Sequence, residues 1–438
     1  MIYYSTNRQA PAATLEKAVV KGLAEDRGLY MPESIKTLPP SFFENIGKLS
    51  FQEIAFTVAE AFFGEDVERE ALRNIVYDTL AFDCPVVPVT EHIYSLELFH
   101  GPTLAFKDVG ARFMARLLQY FIRKEQSDKR PVNVLVATSG DTGSAVANGF
   151  LGVDGIHVYV LYPKGKVSEI QECQFTTLGQ NITAIEVDGV FDDCQDLVKN
   201  AFMDEDINNH LRLTSANSIN VARFLPQAFY YFNAYARMQE RLSKEEMSHL
   251  VMCVPSGNFG NICSALFGRK MGLPFKRFIA ANNANDVFYQ YLQTGEYHPM
   301  ASKQTIANAM DVGDPSNFAR IYDLHHGNHQ EIVSYISGAT YTDEQIRESM
   351  RQCFTENNYI LDPHGACGYR ALSEQLHEDE TGIFCETAHP AKFKDTVEAV
   401  IGKEINLPER LAAFMKNTKQ SIAMDRNFAS FKSYLMQQ

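Results

Sequence analysis

Lys107 stands in the segment LELFHGPTLAFKDVGARF, residues 96–113, with Leu104 and Phe106 before it and Asp108 after it. An ammonium prefers water, so a lysine packed against an aromatic ring is more easily neutral. A neutral amine attacks carbonyls, which makes Lys107 a candidate for covalent attachment of an aldehyde. An extended run from Tyr94 to Phe99, a His100-Gly101-Pro102-Thr103 turn and an amphipathic pattern to about Phe121 put Lys107 near a strand-to-helix junction. A lone lysine more commonly packs its stem and sends its head to solvent. Its assignment therefore depends on what accompanies it.

Two glycine-rich loops accompany it. The apolar run from Val132 to Ala137 leads into Thr138-Ser139-Gly140-Asp141-Thr142-Gly143, and the run from Leu250 to Val254 leads into Pro255-Ser256-Gly257-Asn258-Phe259-Gly260-Asn261. A helical pattern follows each. Backbone N–H groups at such a junction point outward unpaired, and the helix dipole adds partial positive charge. Glycine permits close approach while Ser, Thr and Asn add donors, so each loop can cradle a phosphate or a carboxylate. Taken singly, each is equally an ordinary strand–helix connection. No G-x-x-x-x-G-K-[ST] and no G-x-G-x-x-G occurs, which removes support for nucleotide readings. One cofactor needs a lysine and both cradles together: pyridoxal phosphate, whose aldehyde takes the lysine, whose phosphate takes one cradle, and whose amino-acid substrate brings a carboxylate for the other. Thr387, at the end of the short run Gly382 to Cys385, can offer a hydroxyl to the pyridine nitrogen. On its own it reads as a capping threonine.

The elements that must position these groups follow a strand–helix alternation from about Pro85 onward. Candidate strands are 132–137, 157–162, 182–187, 250–254, 277–281 and 382–385, with helical segments after most of them, as at 144–150 and 261–271. This predicts an α/β fold with mainly parallel sheets flanked by helices. Residues 1–85 read as mostly helical, at 13–24 and 51–63, with a bend at Leu38-Pro39-Pro40. The acidic stretch 192–206 reads as a solvated helix face.

Composition bounds the rest. The 438 residues carry a net charge of −14 and build no basic stripe, so a nucleic-acid partner is not expected. The eight cysteines form no Cys-x-x-Cys, and no Cys/His cluster has zinc spacing, so the expectation is reduced thiols and no metal. The start MIYYSTNRQAPAATLEKAVV lacks the basic-then-apolar pattern of a secretory signal, and no apolar run is long enough to cross a bilayer. The expectation is a cytoplasmic protein with no membrane association and no obligate protein partner.

Taken together, the motifs resemble the threonine synthase family, in its bacterial and fungal group, within the fold-type-II pyridoxal-phosphate enzymes that include tryptophan synthase β. The resemblance covers nearly the whole chain. STNRQAPAATLEKAVVKGLAEDRGLYMPE resembles the family's opening, with Gly22-Leu23-Ala24 and Gly28-Leu29-Tyr30 as its most specific part. HGPTLAFKD, PSGNFGN and ETAHPAKF resemble its cofactor segments.

The resemblance implies two open, twisted, mainly parallel sheets. It implies an N-terminal domain at 1–85, a large cofactor-binding domain at 86–128 and 225–438, and a small domain at 129–224 that closes over substrate. It implies Lys107 and Phe106 at the cofactor, phosphate contacts from Gly257, Asn258, Phe259, Gly260 and Asn261, and Thr387 at the ring nitrogen. Thr138, Ser139, Asp141 and Thr142 belong to the substrate loop. Many relatives have asparagine at the position of Asp141. Either Asp141 points away and caps the following helix, or another residue takes the asparagine's role. The run SANSINVARF offers Ser215, Asn217, Ser218, Asn220 and Arg223 for the substrate phosphate. Lys164 and Lys166 are further candidates, more simply read as a solvated pair. His389 and Lys392 suit a structural role equally well.

The implied activity is a carbon–oxygen lyase converting O-phospho-L-homoserine and water into L-threonine and phosphate, the last step of threonine biosynthesis. The alternatives are another fold-type-II lyase, such as a dehydratase or phospho-lyase, or a cofactor-binding protein without turnover.

Overall fold

The computed structural model describes residues 1–125 and 128–438. Two sheets dominate. The six-stranded one runs in the order Ile336–Thr340, Arg277–Asn282, Leu250–Pro255, Thr381–Glu386, Ile93–Glu97, Val86–Pro88, parallel throughout except for the last strand. The five-stranded one is wholly parallel, in the order Ile422–Asp425, Ile182–Asp188, Ile156–Pro163, Val132–Ala137, Arg212–Ser215. The mainly parallel α/β architecture expected from the alternation is what the chain forms.

Every residue of Val132–Ala137 and of Leu250–Pro255 is buried. Both strands have neighbours on each side and cover on each face, so VNVLVA and LVMCVP read as unbroken apolar runs instead of alternating ones. Their carboxyl ends feed directly into the two glycine-rich loops. The helices Asp141–Phe150 and Gly260–Lys270 follow them. In an open parallel sheet this is the end at which ligands are held.

The chain divides into two compact units. One comprises Met1, Pro32–Phe106 and Phe224–Asn406, and the other comprises Ile2–Met31, Lys107–Arg223 and Leu407–Gln438. These units cut across the three expected segments, of which 86–128 includes residues 126 and 127, outside the described residues. The opening residues join the second unit through the helix Leu15–Lys21, where Thr214 Oγ1 and Asn220 Nδ2 both donate to the Val19 carbonyl, at 3.2 and 2.9 Å. The N-terminal 85 residues carry the helices Phe51–Phe63 and Arg69–Thr79, together with a small sheet of Ile2–Ser5, Ala13–Thr14 and Tyr30–Pro32. The helix expected from Ala13 starts at Leu15 because the Thr14 hydroxyl caps it, accepting from the Lys17 N–H.

Candidate active site

Phe106, the residue before Lys107, is fixed by the strand that carries Thr387. Its N–H donates to the Thr387 carbonyl at 2.8 Å, Ala105 bridges Ala388, and the His389 N–H donates to the Leu104 carbonyl at 3.0 Å. Lys392 is fully buried beneath this ladder, and its Nζ donates to the Thr103 carbonyl at 2.8 Å. The segments HGPTLAF and ETAHPAK are thus bonded to each other backbone to backbone. Lys107 itself is half-buried and opens the helix Lys107–Lys124. Thr387 is 6% exposed.

In the same unit as Thr387, the loop after Leu250–Pro255 turns on Phe259, whose φ is 65°. The side chain of Asn261 closes the turn: Nδ2 donates to the Pro255 carbonyl at 2.9 Å, while Oδ1 accepts from Ser256 Oγ and from the Ile262 N–H, each at 2.9 Å. Asn258 Oδ1 accepts from the Ser316 N–H at 2.7 Å. The N–H groups of Gly257, Phe259, Gly260 and Asn261 donate to no other described residue. A side chain at Gly257 would put its Cβ 2.7 Å from both the Ala309 carbonyl oxygen and Met310 Cα, so only glycine fits there. Unpaired amides at the head of an eleven-residue helix are the donor set that a phosphate monoester takes. The residues present therefore fit pyridoxal phosphate.

In the other unit, Thr138 Oγ1 accepts from the Gly140 and Gly143 N–H groups at 2.9 and 2.8 Å. Thr138 and Asp141 are buried. Ser139 and Thr142 are half-buried, and their hydroxyls bond no other described residue. Asp141 is the first residue of its helix, and its Oδ1 accepts from Gln171 Nε2 at 2.9 Å. Gln171 was not foreseen from sequence. It is fully buried, and its Oε1 accepts from Ser168 Oγ at 3.0 Å. Its one sequence signal is a polar residue in the short amphipathic turn EIQECQF, thirty positions from its partner.

Of the SANSINVARF residues, Asn217 lies beside the same loop, with Nδ2 donating to the Ala137 carbonyl at 3.2 Å. The Ser215 hydroxyl accepts from the Asn217 N–H at 3.2 Å. Asn220 is fully buried: Nδ2 donates to Val19 and Ser215 carbonyls, and Oδ1 accepts from the Ala222 N–H. Arg223, 1% exposed, donates from Nη1 to the Ala216 carbonyl at 2.6 Å, and its own carbonyl packs on Gly110 of the helix Lys107–Lys124. Lys164 and Lys166 are exposed. Among the described residues, no three His, Cys, Asp or Glu side chains gather as a metal site requires.

Residues 87–384 match the pyridoxal-phosphate dependent enzyme family, residues 2–80 the threonine synthase N terminus, and residues 365–435 the threonine synthase C-terminal region. The chain is 42% identical over 436 residues to threonine synthase of Serratia marcescens, a match covering 100% of this chain and 99% of that one. It is similar to the crystal structure of threonine synthase from Escherichia coli, with a TM-score of 0.92, 41% identity and 100% of both chains covered. It is also similar to the structure of PLP-bound threonine synthase from Brucella melitensis, with a TM-score of 0.91, 31% identity, and 100% and 99% of the two chains covered.

Proposed function

The chain belongs to the threonine synthase family of pyridoxal-phosphate-dependent enzymes, and we propose that it converts O-phospho-L-homoserine and water into L-threonine and phosphate with Lys107 as the cofactor-bearing residue. The observation that carries this reading is the 2.8 Å bond from Phe106 to Thr387. It sets the residue adjoining the reactive lysine against the residue expected at the ring nitrogen, in the unit that also holds the phosphate-ready amides.

Pyridoxal phosphate, when bound, supplies an aldehyde for an amine and a ring that withdraws charge from carbons losing a proton. Lys107 Nζ is the amine that retains it between turnovers. The Lys107 amine, once free, would accept the proton from the substrate α-carbon. The amides of residues 257–261 hold the cofactor phosphate. The Thr387 hydroxyl would face the ring nitrogen, and unlike a carboxylate it would not force that nitrogen to stay protonated. Ser139 and Thr142 hold the substrate carboxylate, on a loop kept in shape by Thr138, Asp141 and Gln171. Ser215 and Asn217 serve the substrate phosphate, while Asn220 and Arg223 order the segment that carries them. Removal of a β-proton would expel the γ-phosphate, the γ-carbon would take up a proton to become the methyl group, and water would add its hydroxyl at the β-carbon as a proton returns to the α-carbon.

The same reading places the reaction in the cytoplasm and requires no protein partner, nucleic acid or membrane. Among the described residues, no helix is long and apolar enough to cross a membrane.

The test is product analysis on the cofactor-loaded protein given O-phospho-L-homoserine. Threonine and phosphate are expected in equal amounts, with neither formed by Lys107→Ala. Phosphate accompanied by a keto acid and ammonia would make the protein a lyase of a different outcome and overturn the synthase assignment.

A further inference from the structure

Immediately before Thr387, the strand Thr381–Glu386 ends on a fully buried carboxyl group. Glu386 Oε1 accepts from the Asp362 N–H at 2.6 Å. Asp362, also fully buried, caps the helix Pro363–Gln375, and its Oδ1 accepts from the His364 N–H and from His364 Nδ1–H, each at 2.6 Å. With Nδ1 protonated, His364 Nε2 is the acceptor for the Ala309 N–H at 3.1 Å. Ala309 is the residue whose carbonyl closes on Gly257 of the phosphate loop. Gly365 makes room for the other end of this chain, since a Cβ there would collide with Glu386 Oε2.

Two oxygens remain, Glu386 Oε2 and Asp362 Oδ2. Both are sealed from water, and neither has a donor while both carboxyls are ionised. Because Glu386 Oε1 is bonded to the Asp362 backbone at 2.6 Å, the two carboxyls are immediate neighbours. Adjacent buried charges of like sign are costly, and one proton between them removes the charge and satisfies both oxygens. Asp362 Oδ1 already accepts two donors, whereas Glu386 Oε1 accepts one. The proton therefore belongs to Glu386. Burial first, then the charge of Asp362, push the Glu386 carboxyl well above its ordinary range, and Glu97 on the neighbouring strand adds to this. Tyr359 separately anchors Glu97, donating to its Oε1 at 2.9 Å.

We propose that Glu386 and Asp362 share one proton and, through His364 and Ala309, form a positioning relay that holds Thr387 and the Gly257 loop in register. The relay rests on the reading of Thr387 and residues 257–261 as cofactor contacts. Glu386, Asp362 and His364 are positioning residues in it, and none needs to touch substrate. It joins the strand end carrying Thr387 to the helix start at Asp362 and to the phosphate loop, so the two ends of the cofactor are placed by one set of bonds.

Glu386→Gln is the informative variant, because its amide reproduces both the acceptor for the Asp362 N–H and the donor to Asp362 Oδ2. Infrared spectra of the holoenzyme should contain a protonated-carboxyl band that disappears in Glu386→Gln. It should also disappear in Asp362→Asn, whose new N–H donor leaves Glu386 ionised. Glu386→Gln should retain cofactor within about twofold of the parent and keep the parent's bound-cofactor absorbance. Glu386→Ala should weaken cofactor retention about tenfold, the equivalent of one lost buried hydrogen bond, and alter that absorbance. If Glu386→Ala does not fold, the infrared comparison and the rescue by Gln still decide. Absence of the band overturns the shared proton. A folded Glu386→Ala with unchanged cofactor affinity and absorbance overturns the relay, whatever its melting temperature. Neither result depends on whether threonine is the product, which the Lys107→Ala comparison tests separately.

Discussion

His389 lies two residues beyond Thr387, and its surroundings keep it neutral. Its Nδ1 accepts from the Ala391 N–H at 3.1 Å, capping the short turn Pro390–Phe393, and its ring meets Phe99 edge-on at 5.1 Å between centroids. Burial first, and then the neighbouring His100, lower its pKa from 6.5 to about 4, against the opposing pull of Glu97 and Asp362. The unfolded chain therefore takes up this proton before the folded one does, so between those two values protonation favours unfolding. The contribution to stability is fully present above pH 6.5 and is lost as pH falls toward 4. His389→Asn retains an acceptor for the Ala391 N–H and should flatten this slope, which urea midpoints at several pH values across that window would read. A slope identical to the parent's would assign the acid sensitivity elsewhere. Asp141 is a second case in which environment settles a side chain's part. The sequence leaves open whether this acid points away and caps the following helix or another residue takes the asparagine's role. In the structure Gly140 holds the cap position, no side chain caps the helix there, and Asp141 Oδ1 accepts from buried Gln171.

At the scale of elements, each glycine-rich loop owes its shape to groups that hold it from behind. Gly140 has φ 143°, and a Cβ there would lie 2.5 Å from Gln171 Cδ. Gly140→Ala would force the loop away from Gln171 at a strain of about 1–3 kcal/mol. On the reading of Ser139 and Thr142 as carboxylate contacts, this should raise KM for O-phospho-L-homoserine about tenfold while leaving cofactor retention nearly unchanged, since strain of that size is worth an order of magnitude in affinity. Steady-state kinetics beside cofactor titration separates the two effects. A loss of cofactor with KM intact would place the loop at the wrong ligand. The strand–loop–helix succession itself is visible from the residues because each unit is local: a fully apolar strand, a glycine turn and a helical repeat are contiguous. Gln171 is not visible in that way, because a helical glutamine reads alike whether it faces water or a buried carboxylate.

At the scale of the whole molecule, residues 407–438 belong to the same compact unit as Val132–Ala137. Ile422–Asp425 pairs in parallel with Ile182–Asp188, and the helix Glu409–Met415 packs on Glu169–Thr176. Lys419 forms ion pairs with Glu172 and Glu186. Phe431 and Leu435, both fully buried, complete a core with Leu161, Ile185 and Leu197. Each such side chain contributes roughly 1.5–3 kcal/mol by burial. Deleting 407–438 should therefore destabilise this unit selectively. Hydrogen exchange should show lost protection in 132–215 and retained protection in 250–282 and 381–386. Uniform loss across both sheets would contradict the assignment of this segment.

What the residues determine by themselves is the chemistry and its local supports: a lysine beside an aromatic ring, two glycine turns at the ends of apolar strands, and a hydroxyl at the end of a third. These are short-range patterns, written in contiguous residues and in the periodicity that burial imposes on strand and helix. Only the tertiary structure decides which strand flanks which, that Phe106 bonds to Thr387, that Asp141 turns to Gln171, and that Glu386 meets Asp362. The physical reason is that a buried polar group must find a partner, and close packing brings that partner from any distance along the chain. The pairing of Glu386 with Asp362, like the placing of 407–438, depends on which surfaces the folded core brings together, and no local pattern encodes that.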